Sequence, residues 1–267
     1  MADLGGILAD LRAEGDELDA LVAGLDAEGL AVPTPAQGWT IAHQLSHLAW
    51  TDRWSLLALR DPAGFRGRSA GAADGVGEAV ERGAAEGAGE RPASLLGRWR
   101  AGREEVRGAL RTAPPDERVP WFGPPMKPAS MATARLMETW AHGQDVADAL
   151  GAVRVPGRRL RHVAHLGVRT MGFAFAVRGR EVPGVPVRVE LAAPGGGTWS
   201  WGPEGAEDRV SGPALDFCLL VTRRRHPDDL SLSASGPAAS AWLPIAQAFA
   251  GPPGPERAPG SGSRGGP

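Results

Sequence analysis

The chain has 267 residues and a formal net charge of −2, from 29 Lys and Arg against 31 Asp and Glu. This balance leaves no basic footprint for nucleic acid or an anionic membrane. No apolar run reaches the length of about 18 residues that indicates a transmembrane helix. A single cysteine, Cys218, excludes an internal disulfide and a structural zinc site built from cysteines. The acidic, amphipathic start is unlike a signal peptide, so we expect a cytoplasmic protein.

The first half of the chain has the apolar periodicity of α-helices. Thr40 and Ser130 are suitable N-caps, and the Gly-rich residues 63–77 are interpreted as a loop. The pattern predicts four long helices, at about residues 3–28, 41–60, Pro92 to Pro114, and 131–150. Four long helices in the first 150 or so residues predict a bundle, a fold in which metal sites are commonly built from facing helices.

The pattern changes near Val153. The segment VPVRVELAA alternates apolar and polar residues, and GGGTWSWG follows after a Gly-rich turn, which is typical of a β-hairpin. Helices are predicted over 157–178 and near 213–224 and 236–250, with a short strand in LSLSAS between the last two. The second half is therefore expected to be α+β.

Three regions follow from these patterns. We predict a helix bundle over residues 1–152, a smaller α+β domain over 153–250, and a disordered tail over 251–267, which is rich in Gly and Pro. The fold class of the whole chain is α+β.

The strongest functional clue lies on the fourth predicted helix. Glu138 and His142 are four residues apart, about one helical turn, so both side chains project from one face. His47 on the second predicted helix can supply another imidazole. One carboxylate and two imidazoles form a three-ligand set for a divalent metal, and such a set leaves coordination positions open, as catalytic sites do.

Two other interpretations of these residues stay open. A Glu and a His one turn apart occur in many helices as a surface pair or a simple contact. The apolar neighbours of Glu138 and His142 favour the metal, because an unpaired carboxylate there would be costly. Asp145 can orient the imidazole of His142, as metal-bound histidines usually require.

His43, one turn before His47, is a fourth ligand, a hydrogen-bond donor to a ligand, or a partly exposed helix histidine.

The segments GWTIAHQLSHLAWTD and RLMETWAHGQDVADALG resemble the metal-binding domain of the mycothiol-dependent maleylpyruvate isomerase family, within the wider group of DinB-like helical-bundle metalloproteins. The resemblance implies a DinB-like four-helix bundle with His47, Glu138 and His142 as the metal ligands. The later half, with WLPIAQAFAG, is similar to the sterol-carrier-like α+β domain that accompanies this bundle.

Within that group, the motif WFGPPMKPASMATARLMETWAHGQD is most like an uncharacterised actinobacterial subfamily, not the isomerase itself. A weak resemblance to a tRNA wybutosine-synthesis segment is set aside, because the chain lacks a cysteine cluster and a basic surface signal.

The resemblance implies a divalent metal, zinc for preference, that holds a low-molecular-weight thiol such as mycothiol as thiolate. The reaction would be isomerisation of a small electrophile or thiol transfer to it, as in an isomerase or a transferase. The expected partners are a small-molecule substrate and a small thiol, with no nucleic acid and no membrane. The rivals are a metal-binding carrier or sensor without thiol chemistry, a metalloenzyme that needs no thiol, and a purely structural bundle.

The sequence gives a weaker signal for catalytic residues than for metal ligands. The chain has no tyrosine, so a general acid would be Asp52, His43, Lys127 or a water molecule. Arg135, three residues before Glu138, either faces an anionic substrate or is an arginine on the helix surface.

Overall fold

A computed structural model gives the fold and describes residues 3–70, 76–252, 254 and 257–260. The chain divides into two compact units, Met1–Ala152 and Val153–Pro267. The first is helical and the second combines helices with a small sheet, so the predicted α+β class is confirmed. Among the described residues, no helix has the length and apolar character needed to cross a bilayer.

The four predicted long helices are present in the first unit. Its helices, over the described residues, are α1 Leu4–Val22, α2 Ala27–Leu30, α3 Ile41–Arg60, α4 Pro62–Ser69, α5 Val76–Ala88, α6 Pro92–Thr112 and α7 Pro128–Ala149. The first helix ends earlier than predicted, at Val22, and α2 is separate. Helix α7 begins at Pro128 instead of residue 131, because proline is well suited to the first turn of a helix.

The prediction of a loop over 63–77 was wrong where the structure describes it, since α4 covers Pro62–Ser69 and α5 begins at Val76. The Asp61 carboxylate caps α4 by accepting a hydrogen bond from the Gly64 backbone N–H at 2.9 Å. Phe65 is 1% exposed and anchors the helix by its burial. A cap and one buried aromatic ring outweigh the low helix propensity of the glycines here. Residues 71–75 lie outside the described part.

Helix α3 is central to the packing of the first unit. It contacts α5, α6 and α7, while α1 packs against α7. Leu45 and Leu48 of α3 have no exposed surface and pack with Leu95 and Trp99 of α6 in one core. Burying side chains of this size stabilises the fold by roughly 1.5–3 kcal/mol each. His47 of the same helix is also buried, with 6% of its surface exposed.

The second unit contains a four-stranded sheet in the order β2-β1-β3-β4. Its strands are β1 Val187–Ala192, β2 Thr198–Trp201, β3 Asp208–Pro213 and β4 Ser233–Ser235. The predicted hairpin is confirmed, because β1 and β2 pair antiparallel with Val189 opposite Trp201. Strand β3, which pairs parallel to β1, was not predicted. It has one fully buried apolar residue, Val210, and so gives little alternation to detect.

The helices of this unit are α8 Leu160–Arg169, α9 Met171–Ala176, α10 Ala214–Val221 and α11 Pro237–Trp242, with short 3-10 turns at Pro227–Asp229 and Leu243–Ile245. The single helix predicted over 157–178 is thus two helices. Thr170 separates them, and its hydroxyl lies 2.7 Å from the carbonyl oxygen of Gln247.

The predicted disordered tail falls mostly on residues 253, 255, 256 and 261–267, which lie outside the described part. Of the tail residues that are described, Arg257 donates from Nε to the carbonyl oxygen of Arg223 at 3.2 Å. The backbone N–H of Gly260 donates to the Asp229 carboxylate at 2.8 Å. Disorder of the tail as a whole stays a prediction.

Candidate metal centre

Helix α3 starts with a capping box that uses His43. The backbone N–H of Thr40 donates to His43 Nδ1 at 3.3 Å, and the Thr40 hydroxyl lies 2.9 Å from the same nitrogen. The Thr40 side chain in turn accepts from the His43 backbone N–H, and this capping box satisfies groups that a helix N-terminus leaves unpaired. His43 is partly exposed and lies outside the ligand cluster described below, so its position matches the third of its three interpretations.

One turn further along α3, His47 meets two residues of α7. The ligand atoms of His47, Glu138 and His142 all lie within 4.8 Å of one another. Glu138 Oε2 is 3.5 Å from His47 Nε2 and 3.2 Å from His142 Nε2. The structure thus brings together the three residues that the sequence singled out.

The spacing of these atoms can be tested against a bound ion. Two ligand atoms each about 2.1 Å from a tetrahedral ion are separated by about 3.4 Å. The two distances from Glu138 Oε2, 3.2 and 3.5 Å, bracket that value. They exceed the roughly 2.8 Å typical of a charge-assisted hydrogen bond. The donor set and its spacing fit a divalent ion.

The charge of Glu138 suits the same role. Burial alone would raise the pKa of this carboxyl, but hydrogen bonds and positive charge from His142 and His47 overcome it and hold the pKa well below its usual range. The carboxyl is therefore ionised at neutral pH, as a ligand must be. Its side chain is 22% exposed, compared with 7% for His47 and 12% for His142. Glu138 thus forms the most accessible part of the cluster.

The imidazole of His142 is oriented by a residue that the sequence analysis missed. Gln44 Oε1 lies 2.5 Å from His142 Nδ1, on the side of the ring opposite to Glu138. Gln44 precedes His47 by three residues and shares its helix face, and this spacing is the signal that could have identified it. Asp145, the residue expected in this role, is buried, with 1% of its surface exposed. Its part in orienting His142 stays a prediction.

An indole ring covers the imidazoles. Trp39, in the loop before α3, stacks on His142 with ring centroids 6.0 Å apart and an angle of 18°. Its centroid is 5.3 Å from that of His47. Trp39 Nε1 donates to Glu81 Oε2 of α5 at 2.9 Å, which fixes the ring in place. The indole therefore limits the access of water to this side of the cluster.

His47 also stacks on Trp50, at a centroid distance of 6.3 Å. Trp50 begins a chain of ring contacts that reaches the loop between α6 and α7. The rings in this chain are Trp50, Trp54, Phe65, Trp121 and Phe122. Apolar rings replace water around His47, which strengthens electrostatic interactions at the cluster.

The two weak catalytic candidates bind each other. Arg135 Nη2 lies 2.9 Å from Asp52 Oδ1, and their side chains are 4% and 6% exposed. Arg135 also donates to the carbonyl oxygen of Leu48 at 3.4 Å. Burial raises the pKa of the Asp52 carboxyl, and the Arg135 guanidinium opposes that rise. The interpretation of Arg135 as a surface arginine was wrong, and its charge is already paired with Asp52. Lys127, another candidate acid, pairs with Asp116 at the surface at 2.7 Å.

Similar sequences give the following comparison. The family described as "Mycothiol maleylpyruvate isomerase N-terminal domain" matches residues 11–147. The family described as "Wyosine base formation" matches residues 183–235, so the resemblance set aside above is found in the second unit. Two uncharacterised proteins, from two strains of Mycobacterium tuberculosis, are each 56% identical over 254 residues. The match spans 95% of this chain and 99% of each relative.

Solved structures give a matching fold. The crystal structure of the mycothiol-dependent maleylpyruvate isomerase superposes with a TM-score of 0.59 at 18% identity, covering 89% of this chain and 96% of that one. A histidine-to-alanine mutant of the same enzyme gives a TM-score of 0.58 over the same shares. At this identity the likeness shows the fold. Together with the sequence match over residues 11–147, it shows that the chain belongs to the family of the mycothiol maleylpyruvate isomerase N-terminal domain.

Proposed function

We propose that the protein is a metalloenzyme in which His47, Glu138 and His142 hold one divalent ion, zinc for preference. The enzyme would activate a small thiol such as mycothiol for isomerisation of a small electrophile, or for transfer to it. The observation that supports this most is the convergence of two imidazoles and one ionised carboxylate from two facing helices, at separations that suit a tetrahedral ion.

The chain's own residues have separate tasks in this proposal. His47, Glu138 and His142 supply three ligands and leave coordination positions open, towards the accessible Glu138. Trp39 stacks on His142 and Trp50 on His47, which would limit the access of water to the imidazoles. A bound divalent ion would lower the pKa of a coordinated thiol or water and stabilise developing negative charge.

A small thiol from solution is part of the proposal because the chain supplies none that can react. Cys218 is the only cysteine and has no exposed surface. Burial raises the pKa of its thiol far above the ordinary value, which suppresses the nucleophilic thiolate. Membership of a family named for mycothiol makes mycothiol the first thiol to test.

Metal content tests the first part of the proposal. Purified protein should contain about one divalent ion per chain by elemental analysis, and His47→Ala should contain almost none. His43→Ala is the matched control, because it removes an imidazole one turn away that is outside the cluster. We expect His43→Ala to keep the metal. Full metal content in His47→Ala would contradict the ligand assignment.

Turnover tests the second part. Metal-loaded protein should act on maleylpyruvate-like acids or other small electrophiles only when a thiol is added, with mycothiol compared with cysteine and with no thiol. Turnover without any thiol would favour a metalloenzyme that activates water or substrate. Bound metal without turnover in any combination would favour the carrier or sensor.

A further inference from the structure

We propose that Gln44 is the positioning residue that makes Nε2 of His142 its metal-binding nitrogen, through a hydrogen-bond chain that ends on the backbone of the loop before α3. This inference rests on the proposed metal site and adds to it a residue that contacts no metal. Gln44 is 1% exposed, and both ends of its amide have partners among the described residues.

The donor-to-acceptor direction of these hydrogen bonds is set at Thr34, the end farthest from His142. The Thr34 hydroxyl donates to the carbonyl oxygen of Trp39 at 2.9 Å, and this uses its only hydrogen. Gln44 Nε2 lies 2.9 Å from the same hydroxyl oxygen, which must therefore accept from it. The nitrogen end of the Gln44 amide thus faces Thr34, and the oxygen end faces His142.

The oxygen end determines the proton position on His142. An amide oxygen only accepts hydrogen bonds, so Nδ1 of His142, which lies 2.5 Å away, must carry the proton. In the neutral imidazole Nε2 then carries the lone pair, and it points to Glu138 Oε2 at 3.2 Å. Two acceptors at this distance repel each other unless a proton or a metal ion lies between them. The same arrangement that fixes the tautomer therefore prepares Nε2 for a metal.

The loop before α3 anchors this chain of hydrogen bonds. The backbone N–H of Thr34 also donates to the Trp39 carbonyl, at 2.8 Å, so the carbonyl accepts from both the backbone and the side chain of one residue. The ring of Trp39 stacks on His142, the residue at the other end of the chain. The imidazole is thus held by its Nδ1 edge and by one of its faces. Partners of this kind typically contribute about 10–100-fold to metal affinity.

Zinc affinity of the full-length protein, measured by competition with a chromophoric chelator, tests the inference. Gln44→Ala should weaken zinc binding by about 10–100-fold, whereas Gln44→Glu should keep most of the affinity because its carboxylate still accepts from Nδ1. Gln144→Ala is the matched control, since this glutamine of α7 is two residues from His142 and bonds Asp148 instead. Thermal melts of the metal-free variants verify folding. An unchanged affinity in Gln44→Ala, with the fold intact, would overturn the inference.

A spectroscopic measurement gives a readout that does not depend on affinity. In protein labelled with ¹⁵N-histidine and loaded with ¹¹³Cd²⁺, the cadmium coupling should appear on Nε2 of His142, with a proton on Nδ1. Coupling to Nδ1 would refute the role of Gln44 while leaving the metal site intact. Failure of the wild-type protein to bind either metal would instead refute the proposed function itself, and the inference with it.

Discussion

Helices α3 and α7 hold two acid–base clusters that differ in how their charges are matched. In one, Glu138 lies between His47 and His142 at 3.5 and 3.2 Å and its side chain is 22% exposed. In the other, Asp52 and Arg135 lie 2.9 Å apart with 6% and 4% of their side chains exposed. One acid faces two imidazoles that can bind a cation, and the other faces a permanent cation.

This difference separates a candidate site from a structural contact. A guanidinium is always charged and only donates hydrogen bonds, so the ion pair of Asp52 and Arg135 has its cation built in. A neutral imidazole presents a lone pair, so the charge of Glu138 is balanced only when a proton or a metal ion binds to the imidazoles. The same pair of helices thus carries both kinds of cluster. The two clusters differ in side-chain exposure and in the type of residue that pairs with the acid.

The largest expected effect is the loss of metal on removal of Glu138. Glu138→Ala should reduce bound metal from about one ion per chain to nearly none by elemental analysis, because two imidazoles alone hold the ion weakly. The unfolding free energy of the metal-free protein should change by only about 1 kcal/mol, as is usual for partly exposed positions. A large loss of stability with metal retained would reverse the roles assigned to the two clusters.

The next effect concerns stability. Arg135→Met should lower the unfolding free energy by about 3–5 kcal/mol, because it leaves Asp52 buried and unpaired. Urea denaturation of the metal-free protein measures this. The double variant Asp52→Leu/Arg135→Met should recover most of the loss, because replacing both charges with apolar groups is often neutral. Equal loss of stability in the single and double variants would show that the ion pair stabilises the fold beyond compensating its own two buried charges.

A smaller effect should appear in the acid range. The pKa of Glu138 is lowered in the folded protein, so its stabilising contribution is complete above the unfolded-state value of 4.5 and is lost as the pH falls through the lower folded-state pKa. Metal-free wild-type protein should therefore lose its advantage over Glu138→Gln below about pH 4.5. Urea unfolding of both from pH 6 to pH 3 checks this. A difference that grows with acidity would contradict the assigned charge.

The smallest effect belongs to Cys218, which lies in neither cluster. Cys218→Ser should leave metal content and any thiol-dependent turnover unchanged. In the native protein its thiol should react with iodoacetamide far more slowly than in denaturant, because burial raises its pKa and blocks access. Rapid alkylation of the folded protein, or activity lost in the serine variant, would mean that the chain supplies its own thiol.

The placement of Glu138 and His142 on one helix face was predictable because its signal is local. Glu138 and His142 are one turn apart on a strongly periodic segment, and that spacing places them on one face whatever the rest of the chain does. The hairpin of β1 and β2 was predictable for the same reason, from alternation and a Gly-rich turn.

The features that were not predicted depend on tertiary contacts. Gln44 of α3 bonds His142 of α7, and its spacing from His47 places it on the correct helix face without showing which residue of α7 it meets. Arg135 looks like a surface residue on its helix until Asp52 is placed against it. Helix α4 depends on the burial of Phe65, which composition does not show. In each case the deciding energy comes from residues distant in sequence.

The position of His47 and Glu138, about 90 residues apart in the chain, sets the order of events during synthesis. At typical translation rates of about 5–20 residues per second, His47 emerges from the ribosome roughly 5–20 s before its partners on α7. During that interval α7 is absent, so capture of an ion by the proposed three-residue site would have to follow the docking of α7. In the proposed function, metal acquisition would therefore be a late maturation step, and metal-loaded protein would mark chains in which the whole helical unit is assembled.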